Sequence, residues 1–236
     1  MKLRNLFLPI FSCFLVININ GCTSSEIGQS KDVAQETIYQ QYDISYNEGE
    51  EKATICARFR FAGDKGTTLV VSKPGYVQFD GVDLAVDSSE YEGAFYKKNI
   101  TCNNFFGDHQ FSYADINKRK YDNRFSFDLF KLINVPETAV KNQPLRIQFK
   151  PLQLGPDDYI EIGAIETDSS FSVTYSRKDT SQFLVIPAKE LQRQKGGQLK
   201  MAATLYKKSP LQQNTGEGGI LEMIYALKPV SIRLQQ

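Results

Sequence analysis

Ile55-Cys56-Ala57-Arg58-Phe59-Arg60-Phe61 alternates without a break, with Ile55, Ala57, Phe59 and Phe61 in one phase and Cys56, Arg58 and Arg60 in the other. Successive side chains of an extended strand point to opposite faces, so this pattern predicts a half-buried β-strand with its apolar phase in a core. The same alternation returns at Leu145, Ile147 and Phe149 against Arg146, Gln148 and Lys150, and again at Leu199, Met201, Ala203 and Leu205. Between these runs lie short β-branched and aromatic stretches closed by Gly, Pro, Asn or Asp, which together predict an all-β chain.

Working outward, Tyr76 to Phe79 and Val82 to Val86 flank Asp80-Gly81. A two-residue Asp-Gly link between alternating strands is a hairpin signal, because the type I′ turn needs positive φ at both positions. Gly93 to Ile100 reads as a further strand, Asn103 to His109 as a loop with paired aromatics, and Phe125, Phe127 and Leu129 as inward positions of a returning strand. The Pro- and Asn-containing tract from Val135 to Pro144 marks an expected boundary. Past Pro187, Ala188 to Gln194 can form one or two helical turns that stop at Gly196-Gly197.

The two blocks on either side of that boundary each hold about seven short strands, near the size of one sandwich domain. They resemble tandem immunoglobulin-like or fibronectin-III-like modules, which implies two consecutive β-sandwich domains over 37–140 and 141–236. The chain contains no Trp, so the resemblance extends to the architecture and not to the buried Trp of antibody-type domains. One large jelly-roll domain is the alternative.

The N-terminus carries an address. Lys2 and Arg4 precede an apolar run from Leu6 to Ile17, 12 residues long, which is signal-peptide length and too short for an ordinary membrane span. The run ends in Ile19-Asn20-Gly21-Cys22, which resembles the lipobox of bacterial lipoproteins. That resemblance implies removal of 1–21 and acylation of Cys22 as the first mature residue. Three acyl chains, at roughly 0.8 kcal/mol per buried CH₂, exceed what stable membrane anchoring needs. Thr23 stands where an inner-membrane retention signal would place Asp, so the resemblance favours the outer membrane. Residues 22–36, small and polar after the cysteine, read as a flexible tether. In such an oxidising compartment Cys56 and Cys102 are candidates for a disulfide. Cys56 lies on the polar phase, so such a bridge belongs on the outer face or beyond a strand end.

Composition narrows the function. With 28 basic and 27 acidic residues the chain lacks the positive surplus that nucleic acid requires. His109 is the one histidine. A triad through it, with Ser112 or Ser126 and Asp108 or Asp115, lacks the strand-turn-helix elbow that presents a nucleophile. Zinc needs more His and Cys than the chain supplies, the spacing of Asp80, Asp83 and Asp87 fits no calcium loop, and Gly216-Glu217-Gly218-Gly219 lacks the Lys-Ser/Thr of a phosphate loop. No metal and no cofactor are therefore expected. Candidate binding residues are Phe105, Phe106 and His109, since paired aromatics in an extended segment cannot both face one core. The basic tract Lys118, Arg119 and Lys120 is a second candidate. The expectation is a lipid-anchored envelope protein with a non-catalytic binding or assembly role toward a protein or glycan partner. Alternatives are a carbohydrate-binding or glycan-active sandwich at the cell surface and a structural spacer.

Overall fold

The computed structural model describes residues 25–101, 105–165, 170–179 and 183–236. The signal segment, Cys22 and Cys102 lie outside the described residues. In chain order the strands are β1 (Ile27–Gln29), β2 (Ile38–Asn47), β3 (Lys52–Phe61), β4 (Thr68–Val70), β5 (Tyr76–Phe79), β6 (Val82–Asp83), β7 (Val86–Ser89), β8 (Gly93–Thr101), β9 (Gly107–Ala114) and β10 (Lys120–Phe127). They continue as β11 (Leu132–Ile133), β12 (Thr138–Val140), β13 (Leu145–Phe149), β14 (Tyr159–Ala164), β15 (Ser172–Ser176) and β16 (Phe183–Ile186). After the short helix α1 (Ala188–Gln192) come β17 (Gln198–Pro210), β18 (Gly219–Ala226) and β19 (Val230–Gln235). The chain is mostly β, as its alternation predicts.

These strands form one large sheet and two small ones. The large sheet runs β1-β4-β3-β2-β18-β17-β14-β15, with β8 and β7 continuing from β3 and with β19 and β12 continuing from β17. At its centre β2 and β18 pair in parallel, from Gln40 opposite Gly219 to Asn47 opposite Ala226. Two sandwiches divided at residue 140 would hold separate sheets. Here the largest sheet takes strands from both sides of that position, so its topology does not clearly match two immunoglobulin-like sandwiches. The expected boundary tract itself contributes β12, which pairs in parallel with β19. A Pro-rich composition marks turns, but it does not stop the three residues between them from completing a sheet edge.

The four-stranded sheet β10-β9-β5-β6 covers the inner face of β2 and β3. Tyr42 of β2 stacks on Phe111 of β9 at 4.3 Å between ring centroids, and Phe59 of β3 meets Tyr113 of β9 at 4.5 Å. Such aromatic pairs each add about 0.5–1.5 kcal/mol beyond their burial. The β5–β6 hairpin has the expected turn, with φ of 50° at Asp80 and 75° at Gly81. The third sheet, β11-β13-β16, buries Ile147, Leu184 and Ile186 in the same continuous core.

The deciding strand β3 keeps most of its expected phase. Ile55, Ala57 and Phe59 are fully buried, whereas Phe61 is 40% exposed. It is the last residue of its strand, before the left-handed turn residue Ala62. Leu129, expected inward, is likewise exposed because β10 has already ended at Phe127.

The stretch expected to be a flexible tether is built into the fold from Ile27 onward. β1 adds to β4 in parallel, and the Glu26 carbonyl accepts from the Thr68 amide at 2.9 Å and from its hydroxyl at 2.6 Å. Buried Ser30 accepts from the Ser72 amide at 2.8 Å, and buried Gln35 donates to the Ser30 carbonyl at 2.6 Å. Low apolar content hid this segment because it is held through hydrogen bonds rather than through an alternating face. Gly93, at φ 69°, sits where a Cβ would lie 2.2 Å from the Thr68 hydroxyl and 3.0 Å from the Ser25 carbonyl. Glycine is what lets the N-terminal segment, β4 and β8 converge there.

Candidate functional site

The outer face of the large sheet carries a groove of about 410 Å³. Its floor is built by strict alternation: Tyr39, Gln41 and Asp43 project from β2 and Arg58 and Arg60 from β3, on the side opposite the core. Its walls are two hairpin turns, one bearing Asp64 and Lys65 and the other Tyr91 and Glu92. Register brings Lys208 of β17, Glu222 of β18, Asp43 of β2 and Cys56 of β3 into one row across four strands.

Charges in this groove are held in pairs. One Arg58 nitrogen donates to Asp43 at 2.5 Å and the other to Glu92 at 2.6 Å, so the guanidinium ties the floor to the wall. Lys208 meets Glu222 at 3.0 Å, and this hydrogen bond with its opposite charge raises the lysine pKa. Burial raises the Asp43 pKa, although Gln41 and Arg58 pull it the other way. Arg60, buried beside Arg58, donates to the Gly66 carbonyl at 3.1 Å, and desolvation lowers its pKa. At the rim, Tyr91 is 91% exposed. Chemically this is a preorganised polar surface with two aromatic rings and with cations and anions interleaved.

Cys56 lies on this outer face, as its phase predicts, but it is buried rather than solvated. Burial pushes its thiol up to about 11, which leaves it protonated and unreactive at neutral pH. Among the described residues it has no cysteine partner, and Cys102 lies outside them.

His109 departs from its expected loop. It belongs to β9, pairs with Phe125 of β10, and stacks on Phe105 at 4.4 Å and Phe79 at 5.4 Å. Its Nδ1 meets the Asp80 carboxylate at 2.8 Å, and the other Asp80 oxygen accepts from the Gln110 amide at 2.9 Å. A carboxylate accepts, so Nδ1 carries the hydrogen, and Nε2 is buried with no hydrogen-bond partner among the described residues. Asp80, read from sequence as a turn former alone, is thus also the partner of the histidine. Ser112 accepts from Gln110 at 2.8 Å, and Asp115 accepts from the Arg119 amide at 2.9 Å, while Asp108 and Ser126 sit opposite each other in the β9–β10 register, next to the His109–Phe125 pair. A second groove of about 580 Å³ runs past His109, Arg124 and Gln212.

The remaining candidates do not line the outer-face groove. Phe105 is 4% exposed, and Phe106 is half-buried against Tyr46 and Tyr225 at 5.8 and 5.5 Å, so neither presents an exposed ring to a partner. Two adjacent aromatics can both be buried because they precede β9 in irregular backbone and need not alternate. Lys118, Arg119 and Lys120 lie at the exposed β9–β10 turn, with the Arg119 guanidinium 5.3 Å from the Tyr121 ring centre. Sequence reasoning passed over Tyr39, Gln41, Tyr91, Lys208 and Glu222. The polar phase of β2 and β18 was a readable signal, but only the parallel β2–β18 pairing joins those phases into one surface. Compared with known families and curated proteins, the chain matches no family model and no curated sequence.

Proposed function

We propose that this chain is a lipid-anchored protein of the cell envelope, held at the outer membrane through acylated Cys22 and acting there by non-catalytic binding. The observation that carries this reading is the position of the N-terminal segment beside the outer-face groove. Ser25 packs against Gly93, and Gly93 follows Glu92 on the groove wall. From Cys22 to Glu26 a fully extended chain reaches at most about 14 Å. The binding surface is then carried close to the lipid, not far from it on a long leash. Paired charges and aromatic rings on a rigid sheet support recognition, since their geometry is set before any ligand arrives.

The test is at Cys22. In Cys22→Ala the unprocessed precursor should accumulate and incorporation of labelled palmitate should disappear, whereas globomycin, which blocks only the later cleavage, should make wild type accumulate a precursor that still carries the label. Unchanged processing and membrane fractionation would overturn the anchoring.

A further inference from the structure

We propose that the outer-face groove is a binding site for a neutral oligosaccharide. This rests on the reading of the protein as a binding protein and names the chemical class of its ligand. Four features of the groove point the same way.

The first is aromatic. Tyr91 stands almost wholly exposed at the tip of the β7–β8 turn, and Tyr39 lies half-buried on the floor below. A pyranose ring offers an apolar C–H face, and a tyrosine ring matches it while its hydroxyl stays in water. The second is the state of the polar groups. Glu92 and Glu222 each meet one cation, at 2.6 and 3.0 Å, and a carboxylate has about four acceptor positions. The pairing fixes the side chains and leaves carboxylate lone pairs that can accept from sugar hydroxyls. The third is the balance of charge. The groove interleaves Arg58, Arg60, Lys65 and Lys208 with Asp64, Glu92 and Glu222, and Asp43 on the floor, paired with Arg58, evens the count, which gives neither a polyanion nor a cation a strong field to bind. The fourth is size. About 410 Å³ lies within the roughly 300–1,000 Å³ of small-ligand sites.

The experiment uses the full acylated chain in a detergent without a sugar head, lauryldimethylamine oxide. Neutral malto-, cello- and chito-oligosaccharides are titrated by calorimetry and by tyrosine fluorescence, which is undisturbed because the chain has no Trp. At least one series should bind saturably. Tyr91→Ala and Glu222→Gln should each weaken it about tenfold or more, the loss of roughly one good contact, with thermal melting unchanged. Lys118→Ala, at the far turn, should leave it intact. Binding by no neutral series, heparin binding more tightly than all of them, or full affinity in Tyr91→Ala would each overturn the proposal. The outcome is separable from the anchoring test, because Cys22→Ala precursor, which lacks the acyl chains, should still bind the sugar.

Discussion

Cys56 shows how one position can be read correctly for direction and wrongly for environment. Its phase puts it on the outer face with Arg58, yet 7% exposure and a thiol raised to about 11 make it behave as a core residue. A group whose folded pKa is raised contributes stability that is full below its unfolded value and is lost as pH climbs through the folded value. For Cys56 that window runs from about pH 9 to about pH 11. The displacement corresponds to about 2–3 kcal/mol. Cys56→Ala is therefore expected to lose less stability than wild type between these limits in urea unfolding. In the native wild type, mass-resolved alkylation at pH 7.5 should leave Cys56 unmodified until denaturant is added. Tyr113 and Tyr225, whose buried hydroxyls have no hydrogen-bond partner among the described residues, are shifted upward by the same desolvation and steepen the alkaline loss in both proteins.

Among the elements, β10 is the strand whose exposed edge needs managing, and two glutamines do it. The Gln213 side chain accepts from the Asp122 amide at 2.9 Å, while its backbone exchanges bonds with the Asn123 side chain at 2.8 and 3.0 Å. Gln212 accepts from the Arg124 amide at 3.3 Å and donates to its carbonyl at 3.0 Å. The pair imitates a neighbouring strand and occupies N–H and C=O groups that would otherwise recruit another chain. Replacing both with Ala should destabilise the protein by about 1–3 kcal/mol in chemical denaturation and raise light scattering on mild heating. No loss in either measurement would show that the edge is protected in another way. Nothing in Leu211-Gln212-Gln213-Asn214 announces this role, because the partners lie about ninety positions earlier.

At the scale of the whole molecule, the β2–β18 pairing decides how the chain folds as a unit. β18 also pairs with β17, and β17 is shared by β14 and β19, so removing the second half strips β2 of its parallel neighbour. A fragment spanning 37–140 is expected to remain unfolded by circular dichroism. The intact chain should unfold in a single calorimetric transition, with the van't Hoff and calorimetric enthalpies equal. Two resolved transitions, or a folded fragment, would show that the halves are independent despite the shared sheet.

What the sequence determined by itself was local. Alternation at Ile55–Phe61, Leu145–Phe149 and Leu199–Leu205 named strands and most of their buried faces, and Asp80-Gly81 named its turn, because periodicity and backbone preference act within a few residues. The lipobox resemblance is also a local motif, and it carries the expected location. Tertiary structure alone decided which strands are neighbours. The parallel partnership of β2 and β18 joins residues about 180 positions apart, and no local pattern specifies it. The candidate groove follows from that partnership: Tyr39, Gln41 and Arg58 come from one hairpin, Lys208 and Glu222 from another, and Tyr91 from a turn. Each was an ordinary polar-phase residue until sheet register set them side by side, since a site made of long-range neighbours is encoded in packing and not in spacing.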